Sequence, residues 1–245
     1  MPKYKLIVEY NGTGLVGWQR QENGPSVQQH IEEAIFALAQ DKVEAVAAGR
    51  TDAGVHALGQ VVHFDITKEF ENYKVRDALN HHLRGKNISV VSAEKTDDNF
   101  HARFDANKRK YLYRILSRRS PPALRKNNVW HVPLPLDIAR MEEGAKHLIG
   151  HHDFTTFRAI ECQSKTPMKT LDKITIVQKD DEVHLSFEAK SFLHNMVRKI
   201  VGTLYLVGIG KIPPSDVKKA LEAKDQSASG PTAPAHGLYF LEVNY

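Results

Sequence analysis

Apolar positions along the chain recur with two rhythms, an alternation of two that predicts strands and a spacing of three to four that predicts helices. Residues 4–10, YKLIVEY, form a β-favouring run closed by Asn11-Gly12, so they predict a strand ending in a loop. Ser26 with Gln29 three positions on has the form of a capping box, and Val27, Ile31, Ala34, Ile35 and Leu38 then follow at helical spacing. Two short apolar runs, 43–48 and 60–64, predict strands on either side of a glycine-bearing loop over 49–59. Residues 75–83 predict a helix and 88–93 a strand.

In the rest of the chain, Tyr111, Tyr113 and Ile115 alternate with Lys110, Leu112 and Arg114, a strand over 108–116 in which Leu112 is the misfit. Residues 118–122, RRSPP, are expected to be irregular, and 136–149, bounded by Gly150, predict an amphipathic helix. A loop is expected over 154–167, a hairpin from 174–177 and 183–189, and an apolar helix over 192–206 with Gly202 inside it. A short helix near 216–222, turns over 229–237 and a last strand over 238–245 complete the reading. The order strand, helix, strand, strand, helix occurs twice, which predicts an α/β chain in two parts, residues 1–105 and 106–245. Neither an internal repeat nor a low-complexity linker marks that boundary.

The composition, 41% apolar and 26% charged over 245 residues, is that of an ordinary globular protein and excludes disordered, collagenous and coiled-coil classes. Cys162 is the one cysteine, so no intramolecular disulfide can form, and no apolar segment follows Met1-Pro2-Lys3 to direct export. A cytoplasmic location is the expectation. No apolar run approaches the roughly 18 residues of a membrane span. The net charge of +5 is uneven: residues 103–126 hold Arg103, Lys108, Arg109, Lys110, Arg114, Arg118, Arg119, Arg125 and Lys126 against the single acid Asp105. Such clustering is the footprint of a polyanion partner; a solvated basic face is the alternative.

Several catalytic patterns fail on context. Gly12, Gly14 and Gly17 spell G-x-G-x-x-G after a strand, but Gly24-Pro25 intervenes before any helix cap and no acid closes a second strand at the required distance, which argues against a dinucleotide site. His81-His82 and His151-His152-Asp153 are adjacent residues pointing to different faces, and neither H-E-x-x-H nor paired cysteines occur, so no metal site is expected. G-x-S-x-G is absent and Cys162 has no local catalytic signature. The loop from Gly49 to Ala57 differs: Asp52 lies two residues after Arg50 and two before Gly54, a carboxylate on a strand-supported loop whose backbone can approach a ligand. An Asx-turn in which Asp52 only bonds the backbone is the competing interpretation. Phe100, His101, Ala102, Arg103 and Phe104 interleave aromatic and cationic groups, the composition that stacks unpaired bases. Gln163, Ser164, Lys165, Thr166 and Pro167 form a polar loop able to donate to a sugar-phosphate backbone. With the basic segment, in which Lys108, Arg109 and Lys110 open a strand, these features make RNA the leading partner.

The same segments, in order, carry a resemblance. GRTDAGVHA over 49–57, preceded by Tyr10-Asn11-Gly12 and Gly17-Trp18-Gln19, is followed by FHARF, RKYLYR, FRAIECQSKTP, FLHNMVRKIVG and GLYF. This set is similar to the tRNA pseudouridine synthase A family from residue 4 to the end. The resemblance implies an α/β (α+β) fold of two α/β subdomains sharing a long, mainly antiparallel sheet. It also implies a homodimer, no metal or organic cofactor, and uridines of the tRNA anticodon stem-loop (positions 38, 39 and 40) as substrate. In this chain it implies Asp52 as the catalytic aspartate, Arg50 as the residue replacing the flipped base, Tyr111 as the tyrosine against the uracil, and Arg198 as the arginine of the late motif. His236 stands where bacterial members often have Glu.

The implied isomerisation breaks the C1′–N1 bond of a uridine, turns the uracil and joins C5 to C1′. One carboxylate can serve by adding to base or sugar or by assisting a glycal, and the sequence leaves all three open. A stacked base must be flipped to react, and Arg50 could fill the gap. Tyr111 reads equally as a core strand aromatic. Arg198 lies on an apolar helix where a bare charge is costly, so a pairing with Asp52 is expected; a place at the end of the helix's polar stripe is the alternative. Two rival functions also fit part of the pattern: a non-catalytic RNA-binding module, and an N-glycosylase in which water ends the reaction.

Overall fold

Tyr4, Leu6, Val8 and Tyr10 point to one side of the first strand, β1 (Lys3–Tyr10), and all are buried, as the two-residue period dictates. The computed structural model describes residues 1–245, which divide into two compact units: Met1–Asn107 with Tyr239–Tyr245, and Lys108–Leu238. Ten strands, mainly antiparallel, and five α-helices give the mixed α/β fold. No helix is long and apolar enough to cross a membrane.

In the first unit β1 lies between β3 (His56–Asp65) and β4 (Ile88–Thr96), antiparallel to both. The two-residue β2 (Val46–Ala47) adds to β3, and α1 (Val27–Ala39) and α2 (Asn72–His82) are its helices. Ser26 caps α1 by accepting from the Gln29 backbone N–H at 3.2 Å. The reciprocal half of the expected capping box is replaced: the Gln29 amide donates instead to Glu33 at 2.8 Å. The chain's last strand, β10 (Leu238–Asn244), which the sequence groups with residues 106–245, runs parallel to β3 with Tyr239 opposite His56 and Phe240 opposite Ala57. That non-local pairing extends β3 back to His56, so the catalytic-loop candidate is shorter than the predicted 49–59 span. Predicted strand 43–48 shrinks to Val46–Ala47, its apolar neighbours Ala45 and Ala48 being buried outside the ladder.

The second unit has β5 (Lys108–Ser117), β9 (Glu182–Ala189), β8 (Met168–Lys179) and β7 (Gly150–Asp153) side by side, all antiparallel, with β6 (Trp130–Val132) parallel on β5. Its helices are α3 (Ile138–Lys146), α4 (Met196–Gly208) and α5 (Ser215–Ala223). On β5, Arg109, Tyr111, Tyr113 and Ile115 form the buried face, and Leu112 is half-buried on the other. The predicted start of α4 at 192 moves to Met196 because Asn195 adopts a left-handed φ of 61°. β7 is invisible in the apolar pattern, its sequence GHHD being polar; it exists through pairing with β8.

Part of the basic segment's charge is cancelled within this unit. Arg114 donates from Nε and Nη2 to the two Glu182 oxygens at 2.9 and 3.0 Å, Arg118 pairs with Asp181 at 2.7 Å, and Arg125 contacts both acids. His184 adds a 2.8 Å contact to Glu182. The excess of nine over one in 103–126 therefore overstates the field offered to a polyanion, because its counter-charges lie far along the chain in the β8–β9 turn. Burial pushes the Glu182 carboxyl up, but the hydrogen bonds from Arg114, His184 and Arg125 outweigh it and hold the group at about 2. A carboxyl depressed on folding contributes stability above its unfolded pKa of about 4.5, and that contribution disappears as pH falls towards 2. Glu182→Gln is expected to cost about 1–3 kcal/mol in denaturant unfolding at pH 7 and to unfold with a flatter pH dependence than wild type between pH 4.5 and 2.

Candidate active-site loop

Asp52 opens a tight turn. The Val55 N–H donates to the Asp52 carbonyl at 3.1 Å, and Gly54 supplies the positive φ, 77°, that the third turn position requires. Thr51 is buried, Asp52 half-buried and Arg50 exposed, so the anchored residue of the three is Thr51. The anchor is a polar contact in the core: the Tyr10 phenol and the Thr51 hydroxyl share a hydrogen bond of 2.7 Å. Gln60 on β3 clamps Gly49 at both ends, donating to its carbonyl at 2.7 Å and accepting its N–H at 3.3 Å. Burial pushes the Tyr10 phenol up to about 12, against opposing hydrogen bonds from Thr51 and Gln60, so it stays neutral at physiological pH.

The other side of the turn is held by the glycine loop after β1. Trp18 N–H donates to the Thr51 carbonyl at 3.0 Å, Gly54 N–H to Leu15 at 3.3 Å, and Gly12 N–H to His56 Nδ1 at 3.0 Å. A Cβ on Gly17, whose φ is 105°, would lie 2.5 Å from the Thr51 oxygen and 2.9 Å from the Asp52 carbonyl carbon; one on Gly12 would overlap the Val55 carbonyl. These glycines thus serve backbone approach to the acid-bearing turn. Gly17 and Trp18 carbonyls also receive the N–H groups of Val27 and Gln28 at 3.1 and 3.0 Å, tying the loop to the start of α1. Residue chemistry alone does not single out Tyr10, His56 and Gln60 as site-forming; the glycine spacing is the available signal, and it points to loop packing.

The 100–104 segment is fastened seven residues along β3, where His63 Nδ1 accepts the Ala102 N–H at 3.1 Å. Burial, followed by the electrostatic effect of His101 and Lys3, lowers the His63 ring to about 4, which keeps that acceptor unprotonated at neutral pH. At about 3.3 Å per residue this lies roughly 23 Å from His56, so Asp52 and the FHARF turn are held at opposite ends of one strand.

In the second unit, Tyr111 is buried with its ring edge-on to Phe192, centroids 5.0 Å apart. Arg198 is half-buried in the first turn of α4, donating from Nε to the Ala233 carbonyl and from Nη1 to Asn195 Oδ1, both at 2.8 Å. Residues 230–233 can approach α4 this closely because Gly202 and Gly230 have no Cβ; one on Gly230 would be 2.7 Å from Thr203 Cα. Burial and the Arg198 charge lower the pKa of His236. Lys108 approaches Glu188 at 3.4 Å, Lys110 is opposite Glu188 in the ladder, and Arg109 is buried with a donor on the Lys190 carbonyl. In the 163–167 loop Gln163, Lys165 and Thr166 are exposed, Ser164 bonds the Thr166 carbonyl at 2.9 Å, Pro167 accepts from Phe154 at 3.1 Å, and Lys169 supports the loop through Ser164 at 3.3 Å. No group of three His, Cys, Asp or Glu side chains could hold a metal ion.

Comparison with known proteins supplies the remaining finding. The sequence profile of a family described as tRNA pseudouridine synthase matches residues 6–105 and 145–245. A tRNA pseudouridine synthase A of Paramagnetospirillum magneticum is 54% identical over 245 residues, covering 100% of this chain and 96% of that protein. Proteins with the same description from Sinorhizobium fredii and Ehrlichia canis are 50% and 52% identical, the alignments covering 100% and 99% of this chain and the full length of each relative.

The glycine loop yields a graded expectation. Gly14 has a φ of 80° with nothing within 4 Å of the place an alanine methyl would take, so Gly14→Ala meets only the left-handed strain, about 1 kcal/mol. Gly17→Ala adds a backbone collision and should cost at least about 3 kcal/mol in chemical denaturation. Equal losses for the two variants would contradict the role given to Gly17.

Proposed function

The chain belongs to the tRNA pseudouridine synthase family, and on that premise we propose that Asp52 is the carboxylate through which it isomerises uridine in the anticodon stem-loop of tRNA. It is an isomerase acting on tRNA uridine. The observation that carries the assignment of Asp52 is its setting: a half-buried acid on a turn fixed from one side by Tyr10 and Gln60 and from the other by the glycine loop. Catalysis by one group needs that group held in one orientation, and this turn has little freedom to move.

The reaction conserves atoms. The C1′–N1 bond breaks, C1′ bonds to C5, the C5 proton leaves and N1 gains one, so the product has the mass of the substrate. Adding to the base, adding to the sugar and assisting a glycal can each be served by one carboxyl group, the group that Asp52 brings. Arg50, exposed two residues away, is assigned to the space left by the flipped base. Tyr111 is assigned to the face of the uracil, and Arg198 to the electrostatics of the reacting carboxylate. The exposed lysine of the 163–167 loop and the basic groups Lys108 and Lys110 are assigned to phosphate contacts; Arg109, buried on the Lys190 carbonyl, acts by shaping β5. The functional unit is a homodimer acting in the cytoplasm.

Asp52→Asn keeps the shape of the side chain and removes its charge. Turnover should vanish while affinity for a tRNA transcript stays within a few-fold, measured by pseudouridine-specific carbodiimide adducts and by titration. Turnover near the wild-type rate would rule Asp52 out, and release of free uracil by the wild type would mean that water ends the reaction as in a glycosylase. Arg198→Met should lower the rate strongly and Arg198→Lys restore it only in part, since a point charge cannot reproduce the planar fork that grips Ala233 and Asn195. Equal rates for the two Arg198 variants would remove the fork from the account.

A further inference from the structure

At the end of β3 opposite Asp52 an aromatic ring stands in solvent. Burial separates the 100–104 turn into fastening and outward residues. Phe100 packs on Tyr245 with ring centroids 4.9 Å apart and Ala102 is fully buried on His63, so these two fix the turn. Phe104 is 73% exposed, and its ring lies stacked on His101 at 4.2 Å with 28° between the planes. The His101 ring is itself locked, because its Nδ1 accepts the N–H groups of Arg103 and Phe104, each at 3.2 Å, while its backbone N–H donates to Asp105 at 2.7 Å. The Arg103 guanidinium carbon is 5.9 Å from the Phe104 centroid.

We propose that the His101–Phe104 ring pair, flanked by Arg103, is a stacking platform for one unpaired base of the RNA, at a nucleotide other than the one presented to Asp52. The proposal rests on the tRNA substrate given above. An exposed, preformed aromatic surface loses little side-chain freedom on binding and accepts any base, because every base has a π-face. Roughly 23 Å along β3 separates it from the end that carries Asp52, too far for one nucleotide to touch both. The chemistry favours base over phosphate: Asp97, Asp98 and Asp105 offset Arg103 together with Lys3 and Lys5, which reach the turn at the Asp98 and Phe100 carbonyls and at the Phe100 ring, so the attraction particular to the segment is that of the rings.

Three proteins test it with an unmodified tRNA transcript: wild type, Phe104→Leu and Phe104→Trp. Phe104→Leu should bind about ten-fold more weakly with an unchanged salt slope, since stacking releases no counterions. Phe104→Trp should bind at least as tightly as wild type, and the emission of its new exposed indole should be quenched by RNA. Replacing single loop nucleotides of the transcript by abasic ones should identify one position at which wild type and Phe104→Leu bind equally. Affinity of Phe104→Leu within two-fold of wild type, a reduced salt slope, or a changed sedimentation coefficient, which would place the ring against a second copy of the chain, overturns the platform. A wild type that binds but forms no pseudouridine would defeat the proposed function and leave the platform standing, so the two failures are distinct.

Discussion

Two backbone segments, residues 12–17 and 51–55, approach so closely that neither Gly12 nor Gly17 has room for a single methyl group. That contact is the constraint on which the first unit's chemistry depends. It converts a surface turn, ordinarily among the more mobile parts of a protein, into a layer bonded on both sides. From one side come the N–H groups of Trp18 and Gly54 in exchange with Thr51 and Leu15; from the other come the buried Tyr10 hydroxyl and the Gln60 amide. The residue that carries the acid is thereby fixed at its backbone while Asp52 itself stays half-buried.

Both units use buried polar groups in this way, each with its partners supplied. Tyr10 is neutral and bonded, and Glu182 is charged among Arg114, Arg125 and His184. Isolated in an apolar core, either group would be costly; matched, each fixes one arrangement of the chain around it. On α4 the same logic applies to Arg198, whose two donors are directed by the Ala233 carbonyl and the Asn195 amide, and Asn195 accepts a left-handed conformation at the helix start to take part.

Much of this architecture can be read in the sequence wherever the cause is local. The strand over residues 4–10, the Ser26 cap, the helix after it and the glycine-bearing loop that holds Asp52 depend on neighbours in the chain and emerge from spacing and residue type. What depends on distant partners does not. β3 reaches back to His56 because β10, at the chain's end, pairs with it; β7 is a strand only beside β8; and the charge of Arg114, Arg118 and Arg125 is cancelled by Asp181 and Glu182. The glycines at 12, 14 and 17 show the difference within one motif: their spacing suggests a phosphate cradle, their context argues against it, and the purpose of Gly12 and Gly17 becomes visible only when the turn that they pack on is in place.

Bonded in this way on both sides, the turn carrying Asp52 should be as firmly built as the sheet beneath it. Native-state hydrogen exchange of the Gly12, Trp18, Gly54 and Val55 amides measures this directly, because each donates one of the bonds that hold the turn. These four amides are expected to exchange as slowly as those of β1, through opening of the whole first unit. Exchange at the rate of an open surface loop, with β1 still protected, would contradict it.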